Sequence, residues 1–230
     1  MHDNIPLLPQ MMDVWQHLNW QPNTEQQLLF QRVYELIIKA NRTLNLTRIT
    51  EPVEFWEKHL WDSLRGIAPL LEREQEDLGK IIDIGTGAGF PGIPCAIALS
   101  NSQVTLLDST LKKITFLDTL IAELGISNAN TVIGRAEIIA KETQHQKAYD
   151  IALIRAVGSA CLCAQYSLPF LKPGGLAILY QGNWTTEETK TLQNTVKKLG
   201  GLIETIEEFT TPISNSIRHC VYLRKYSNHV

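Results

Sequence analysis

Cysteine is scarce in this chain: four in 230 residues, namely Cys95, Cys161, Cys163 and Cys220. Only the middle pair is close, and one intervening residue fits neither a zinc knuckle nor a redox pair. Small buried hydrophobes in a reducing compartment are expected rather than a metal site, and a chain of this length needs no disulfide. Long apolar runs are lacking too. The most apolar stretch, Ile81–Leu99, holds Asp83 and is interrupted by Pro91, Pro94 and several glycines, which excludes a membrane span. There is no basic surplus, with Lys+Arg 21 against Asp+Glu 24 and a net charge of −3. Composition therefore argues mildly against a general nucleic-acid binder. The pairs Lys112-Lys113, Lys197-Lys198 and Arg224-Lys225 read as solvated faces. Met1-His2-Asp3-Asn4 has no positive region or apolar run of a leader, so a cytoplasmic chain is expected. The triplets at Asn41, Asn45 and Asn183 are then chance glycosylation matches.

What is present is a change of pattern near residue 79. Residues 1–78 read as a helical extension. Thr24 and Gln27 form a capping-box pattern, followed by Leu29, Val33, Leu36, Ile37, Ala40 and Leu44 on one helical face. A second helix is expected from Thr50-Glu51-Pro52, with the stripe Val53, Trp56, Leu60, Leu64 and Ile67. His59, Asp62 and Ser63 flank that stripe at mutual reach. Residues 79–230 alternate short apolar runs with helical periodicity. Strands are predicted at Lys80–Ile84, Gln103–Asp108, Asn130–Gly134, Tyr149–Ile154 and Leu176–Gln181. Helices are predicted at Pro91–Leu99, Leu111–Leu124, Ala136–Glu142 and Ser159–Leu168. A further helix, Thr185–Leu199, is opened by the capping box of Thr185 and Glu188. The last two runs, Leu202–Thr210 and Ile217–Arg224, are joined too briefly for a parallel crossover. The expected fold is α/β: a doubly wound, mostly parallel seven-stranded Rossmann-like sheet, with a C-terminal antiparallel hairpin and the extension packed into one compact unit.

Ile81-Ile82-Asp83-Ile84-Gly85-Thr86-Gly87-Ala88-Gly89-Phe90-Pro91-Gly92 is the most informative segment. A strand runs into a glycine-rich turn at the carboxyl end of the sheet, where open α/β folds bind ligands. Gly87-x-Gly89-x-x-Gly92 satisfies the dinucleotide fingerprint literally. Asp83 is poorly placed beside a pyrophosphate, however, and suits a ligand with a positive amino group. S-adenosylmethionine has such a group and no phosphate, and the hairpin ending fits a methyltransferase sheet better than a dehydrogenase. Asp108, at the end of the second strand, can accept from both ribose hydroxyls or cap the helix at Leu111. Ser109 and Thr110 extend that edge. After the third strand, the Ala136 amide can donate to an adenine, while Glu137 favours the helix N-terminus. Arg155, at the end of the fourth strand, is costly there unless paired, with a phosphate, a cofactor carboxylate or Asp83 as candidates.

These residues resemble the bacterial small-subunit ribosomal RNA guanine-N7 methyltransferases, the RsmG or GidB family. The match runs through Asn45-Leu46-Thr47, His59-Leu60-Trp61-Asp62-Ser63, Asp83–Pro94, Leu106-Leu107-Asp108-Ser109, Arg135-Ala136-Glu137, Arg155-Ala156 and Arg218-His219. The resemblance implies a cytoplasmic enzyme that methylates N7 of a guanine in 16S ribosomal RNA. It also implies S-adenosylmethionine contacts at Gly85, Phe90, Asp108, Ala136, Glu137 and Arg155. Gln181-Gly182 stands where many relatives carry Lys-Gly, which removes one positive contact.

Guanine N7 presents an unprotonated lone pair, so no general base is required and positioning is the main task. That agrees with the lack of a Ser-His-Asp or paired-carboxylate constellation. N7 is hidden in A-form RNA, so the target is expected to be unpaired or in an open loop. Asn45 and His59, together with Asp62 and Ser63, are candidates to orient the base, alongside Arg155 as the residue on which transfer depends. The alternative for them is packing of the extension on the sheet. A monomer acting on 16S ribosomal RNA or the small ribosomal subunit is expected. A methyltransferase of small molecules or proteins, and a non-catalytic nucleotide- or RNA-binding module, are the competing readings.

Overall fold

The computed structural model describes residues 5–227, and the reading of Met1–Asn4 lies outside them. The extension holds α1 (Met12–Trp15), α2 (Thr24–Leu44), α3 (Pro52–Phe55), a π-helical turn (Trp56–Trp61), α4 (Asp62–Gly66) and α5 (Ala68–Leu71). There follow β1 (Lys80–Ile84), α6 (Gly92–Ala98), β2 (Gln103–Asp108), α7 (Leu111–Leu124), β3 (Ala129–Ile133), α8 (Ala136–Ile139) and β4 (Tyr149–Arg155). The chain continues through α9 (Ala160–Ser167), β5 (Leu171–Gln181), α10 (Thr186–Lys198), β6 (Gly201–Thr210) and β7 (Ile217–Lys225). The sheet has seven strands in the order β3-β2-β1-β4-β5-β7-β6. Strands β1 to β5 pair in parallel, and β7 runs antiparallel between β5 and β6. This is the doubly wound sheet with a terminal hairpin that the alternation of runs predicts. Among the described residues no helix is long and apolar enough to cross a membrane.

Side chains alternate across the strands, so each parallel strand feeds two cores. Ile81, Leu106, Leu153 and Ile178 pack with α6, α7 and the extension, in a core that takes in Trp15, Phe30, Trp56 and Leu64. Ile82, Leu107, Ala152, Ile154 and Leu179 pack on the other face with Cys163, Leu192 and Val196. The first core crosses the boundary near residue 78 without a break. Trp15 is central to it, with its ring 4.8 Å from Trp56 and 6.1 Å from Phe30. Each such buried side chain contributes roughly 1.5–3 kcal/mol. Two sheet tyrosines add polar links. Tyr180 donates to the Ser63 carbonyl at 2.7 Å and Tyr222 to the Gly66 carbonyl at 2.9 Å. A Cβ at Gly66 would lie 2.2 Å from the Tyr180 ring, so glycine is what lets the helix come this close.

Several local expectations shift. The capping box of α2 is Asn23 with Gln26, one residue before the predicted Thr24 and Gln27. Asn is as good a cap as Thr, and Gln27 instead donates to the Pro22 carbonyl at 3.0 Å. The buried stripe of α2 is Phe30, Val33, Tyr34 and Ile37, with Leu29, Leu36, Ala40 and Leu44 at its margins. The second helix is interrupted by the π turn, and Val53, expected in its stripe, is 44% exposed. β5 starts at Leu171, since the Pro173-Gly174-Gly175 segment joins the strand with a register shift against β4. α8 ends at Ile139 rather than Glu142 and gives way to turns. The Thr185–Glu188 capping box is present.

Candidate active site

The glycine turn is fixed from both sides. The Gly85 and Thr86 amides donate to the Leu107 carbonyl at 2.8 and 3.0 Å, fastening the turn to β2. Gly85 has φ +71, and a Cβ there would come within 2.6 Å of Val157 Cγ2. At Gly92 a Cβ would meet Leu106 at 2.2 Å. Asp83 lies fully buried beneath the turn and accepts from the Gly92 amide at 2.8 Å. Burial pushes its carboxyl up to about 6 from an ordinary 3.8, opposed by the Thr86 hydroxyl, the Gly92 amide and the charge of Arg155. Asp83 Oδ1 and Thr86 Oγ1 are buried without a well-formed hydrogen bond.

A cavity opens at the carboxyl ends of β1, β2 and β3. It is lined by Gly85, Asp108, Ser109, Ala136 and Glu137 from the predicted set, and by Val157, Leu162 and Tyr166 besides. Asp108 is the hinge of this wall. Its Oδ2 accepts from the Gly87 amide at 3.0 Å and its Oδ1 from the Thr110 amide at 2.9 Å, with Lys113 at 3.5 Å. Thr110, not Asp108, is the residue preceding α7, and it makes no side-chain cap. With two backbone amides and Lys113 already on it, the carboxylate keeps accepting capacity for about one further donor, such as a ribose hydroxyl of an adenosine. A Cβ on Gly87 would meet only the Gly85 carbonyl at 3.9 Å, so the turn is open there. The open glycine turn fits a ligand with an amino-acid end, which the buried Asp83 meets through its charge and not by contact, and Asp108 with Ala136 fits its nucleoside. Asp83, Gly87, Phe90, Thr110 and Arg155 are not on the wall of this cavity.

Arg155 has turned the other way. Rather than meeting Asp83, its Nη1 donates to Asp62 Oδ2 at 2.9 Å and to the Lys58 carbonyl at 2.8 Å. Both ionic side chains are largely buried, at 15% and 13% exposure. Phe90 also faces the extension: the His59 ring stacks on it at 4.3 Å and 6°, and the Arg155 guanidinium carbon lies 5.9 Å from it. His59 Nε2 meets the Thr47 hydroxyl at 2.8 Å, while Nδ1 is buried without a partner. Burial, then Arg155 and Lys58, push His59 down to about 3, so its ring is neutral at physiological pH. Asn45 is exposed in a left-handed conformation at the end of α2 and lines neither this cavity nor the cleft beyond Arg155.

Arg155 and Asp62 instead line a second cleft, with Ile49, Lys58, His59, Ala156, Thr211, Ser214 and Arg218. Gln181 and His219 continue it on the sheet side. The segment leaving β4 is the wall between the two cavities, with Val157 facing the first and Ala156 the second. Of the cations there, Lys58 pairs with Glu54 and Arg155 with Asp62. Arg218 donates only to the neighbouring Ile217 carbonyl at 3.2 Å and has no carboxylate among the described residues. Sequence reasoning missed Thr47, Lys58, Leu162 and Tyr166 as site residues. The last two stand four apart on α9 and were readable as one helical face.

The profile of the GidB family, described as rRNA small subunit methyltransferase G, matches residues 26–220. The chain belongs to this family. It is an S-adenosylmethionine-dependent methyltransferase of small-subunit ribosomal RNA. It is 65% identical over 221 residues to ribosomal RNA small subunit methyltransferase G of Nostoc punctiforme, covering 95% of this chain and 91% of that one. Against the same-named protein of Microcystis aeruginosa it is 52% identical, over 95% and 99% of the two chains. In fold it is similar to a mutant 16S rRNA (adenine(1408)-N(1))-methyltransferase from Catenulisporales acidiphilia, with TM-score 0.57, 14% identity, and 70% and 92% coverage. M. jannaschii TYW2 in complex with AdoMet gives TM-score 0.51 at 15% identity, over 69% of this chain and 74% of that one.

Proposed function

We propose that this methyltransferase modifies N7 of a guanine in 16S ribosomal RNA, free or within the small subunit, as a cytoplasmic monomer in which 1–78 and 79–230 act together. The observation that carries the reading is the wall Arg155–Gly158, shared by a nucleoside-sized cavity and a cleft that presents an unpaired arginine.

When bound, S-adenosylmethionine supplies an electrophilic methyl group suited to in-line transfer to a nitrogen lone pair. Gly85, Asp108, Ser109, Ala136 and Glu137 would hold its nucleoside, and the buried Asp83 carboxylate, bonded to the Gly92 amide, would attract its amino group through its charge. On the other side of the wall, Arg218 anchors RNA phosphate, a role that an unpaired guanidinium suits. Arg155 stays fixed by Asp62 and stiffens the segment that borders both cavities; transfer requires the methyl group and N7 to meet past the edge of that segment with no atoms between them. His59, neutral and stacked on Phe90, shapes the cleft floor and moves no proton. None is required, because N7 of guanine carries no proton to remove.

Mapping N7-methylguanine in 16S ribosomal RNA from cells with and without this protein tests the proposal. The modification should be present at one guanine and vanish with the protein, and its persistence would refute the assignment. Purified enzyme, S-adenosylmethionine and small subunits should restore it.

A further inference from the structure

Glu57 is 2% exposed, and no cation pairs with it among the described residues. Its Oε1 accepts from two consecutive backbone amides of the β6–β7 turn, Ile213 at 2.6 Å and Ser214 at 2.8 Å. A carboxylate buried away from water persists only where such bonds replace hydration. The contact joins segments 156 residues apart in sequence.

The turn it grips is stiff in itself. The Thr211 amide donates to the Ser216 carbonyl at 3.0 Å, and the Ser216 amide to the Thr211 hydroxyl at 2.9 Å. Thr211 and Ser214 hydroxyls share a bond at 2.9 Å. A turn braced in this way shifts as a unit, so one external anchor sets its place. Thr211, Ser214 and the following Arg218 form one side of the second cleft, and Lys58, His59 and Asp62 the other. Glu57 belongs to the same π-helical turn as Lys58 and His59. One helical segment therefore holds both walls.

We propose that Glu57 is a positioning residue for RNA: by fixing the β6–β7 turn it sets the width of the cleft and the placement of Ser214 and Arg218 against the substrate. This rests on the reading that the second cleft receives RNA. Glu57 touches neither the cofactor cavity nor Arg155, so its effect should fall on RNA engagement alone.

The test uses the full chain with Glu57→Ala and Glu57→Gln, measured by calorimetry with S-adenosylmethionine, methyl transfer to small subunits, and hydrogen exchange at the Ile213 and Ser214 amides. In Glu57→Ala, exchange at both amides should accelerate, KM for the subunit should rise about tenfold, and cofactor Kd should stay within about twofold. Glu57→Gln keeps an accepting oxygen and should restore KM. Faster exchange with unaltered KM overturns the inference, as does a KM rise that Glu57→Gln fails to reverse. Should Glu57→Ala not fold, Glu57→Asp, which withdraws the carboxylate by one methylene, takes its place under the same criteria. Wild-type enzyme that transfers nothing to the subunit refutes the RNA reading itself, and the positioning role with it. A defect of the variants alone leaves that reading standing.

Discussion

Arg155 Nη1 sits 2.9 Å from Asp62 Oδ2 and 2.8 Å from the Lys58 carbonyl, binding the end of a central strand to the helical extension. The π turn contributes to this geometry, because i→i+5 bonding re-aims the carbonyls of Trp56–Trp61. Removing one partner of a pair this sheltered leaves an uncompensated charge. Asp62→Ala should therefore lower stability by about 2–3 kcal/mol, and Asp62→Asn by less. Urea unfolding with a common m-value measures both, and an unchanged midpoint in Asp62→Ala would show the pair to be energetically idle.

Asp83 makes stability depend on pH. Its folded carboxyl titrates near 6 and its unfolded one near 3.8, so folding takes up a proton between those values. The favourable contribution is complete below about pH 4 and is lost as pH rises through 6, a change on the order of 3 kcal/mol. Wild type should lose stability relative to Asp83→Asn across that window. Parallel curves would mean that the carboxyl titrates normally.

Gly85→Ala faces both the left-handed φ and the contact with Val157 Cγ2. The backbone alone costs about 1–2 kcal/mol, and the clash adds to it. Cofactor affinity should fall tenfold or more. Val157→Ala in the same chain should recover only part of the loss, because it removes the clash and not the φ strain. Complete recovery would assign the whole cost to Val157.

With His59 neutral above about pH 3, turnover should show no break near the ordinary histidine value of 6.5 that disappears in His59→Gln. The two pH–kcat profiles should have the same shape, differing in height through the lost stacking on Phe90. A limb present in wild type and absent in the variant would give His59 a proton-transfer role.

Arg218→Ala should weaken RNA binding similarly for all sequences and reduce the slope of log K against log salt by about one. Cofactor binding should be unaffected, since Arg218 lies across the β4 wall. An unchanged slope would place the phosphate contact elsewhere.

The fold was legible because its signals are local and repeated. Apolar alternation marked β1 and β2 to the residue, and the short link after β6 required an antiparallel partner. The lining of the first cavity has local signals too: Gly85 follows β1, Asp108 ends β2, and Ala136 opens α8 shortly after β3. The substrate side lacks them. For Arg155 the sequence leaves a phosphate, a cofactor carboxylate and Asp83 as candidate partners, and nothing local to it reveals Asp62, 93 residues earlier. The π turn leaves no mark in a stripe of Trp56, Leu60 and Leu64. Phe90 reads as part of the glycine turn, but its environment is set by Phe55 and His59 of the extension. What local sequence does not show are contacts between distant segments, such as those of Arg155 with Asp62 and of Phe90 with His59.

β6 has only β7 as a neighbour in the sheet, and β7 comes after it in the chain. During synthesis β6 must therefore wait, with its edge amides unmatched, until residues up to about Lys225 have left the ribosome. Arg218 and the second wall of the cleft reach their places only in that last step. Until β7 is in place, β5 also lacks its outer partner, and the cleft has no second wall.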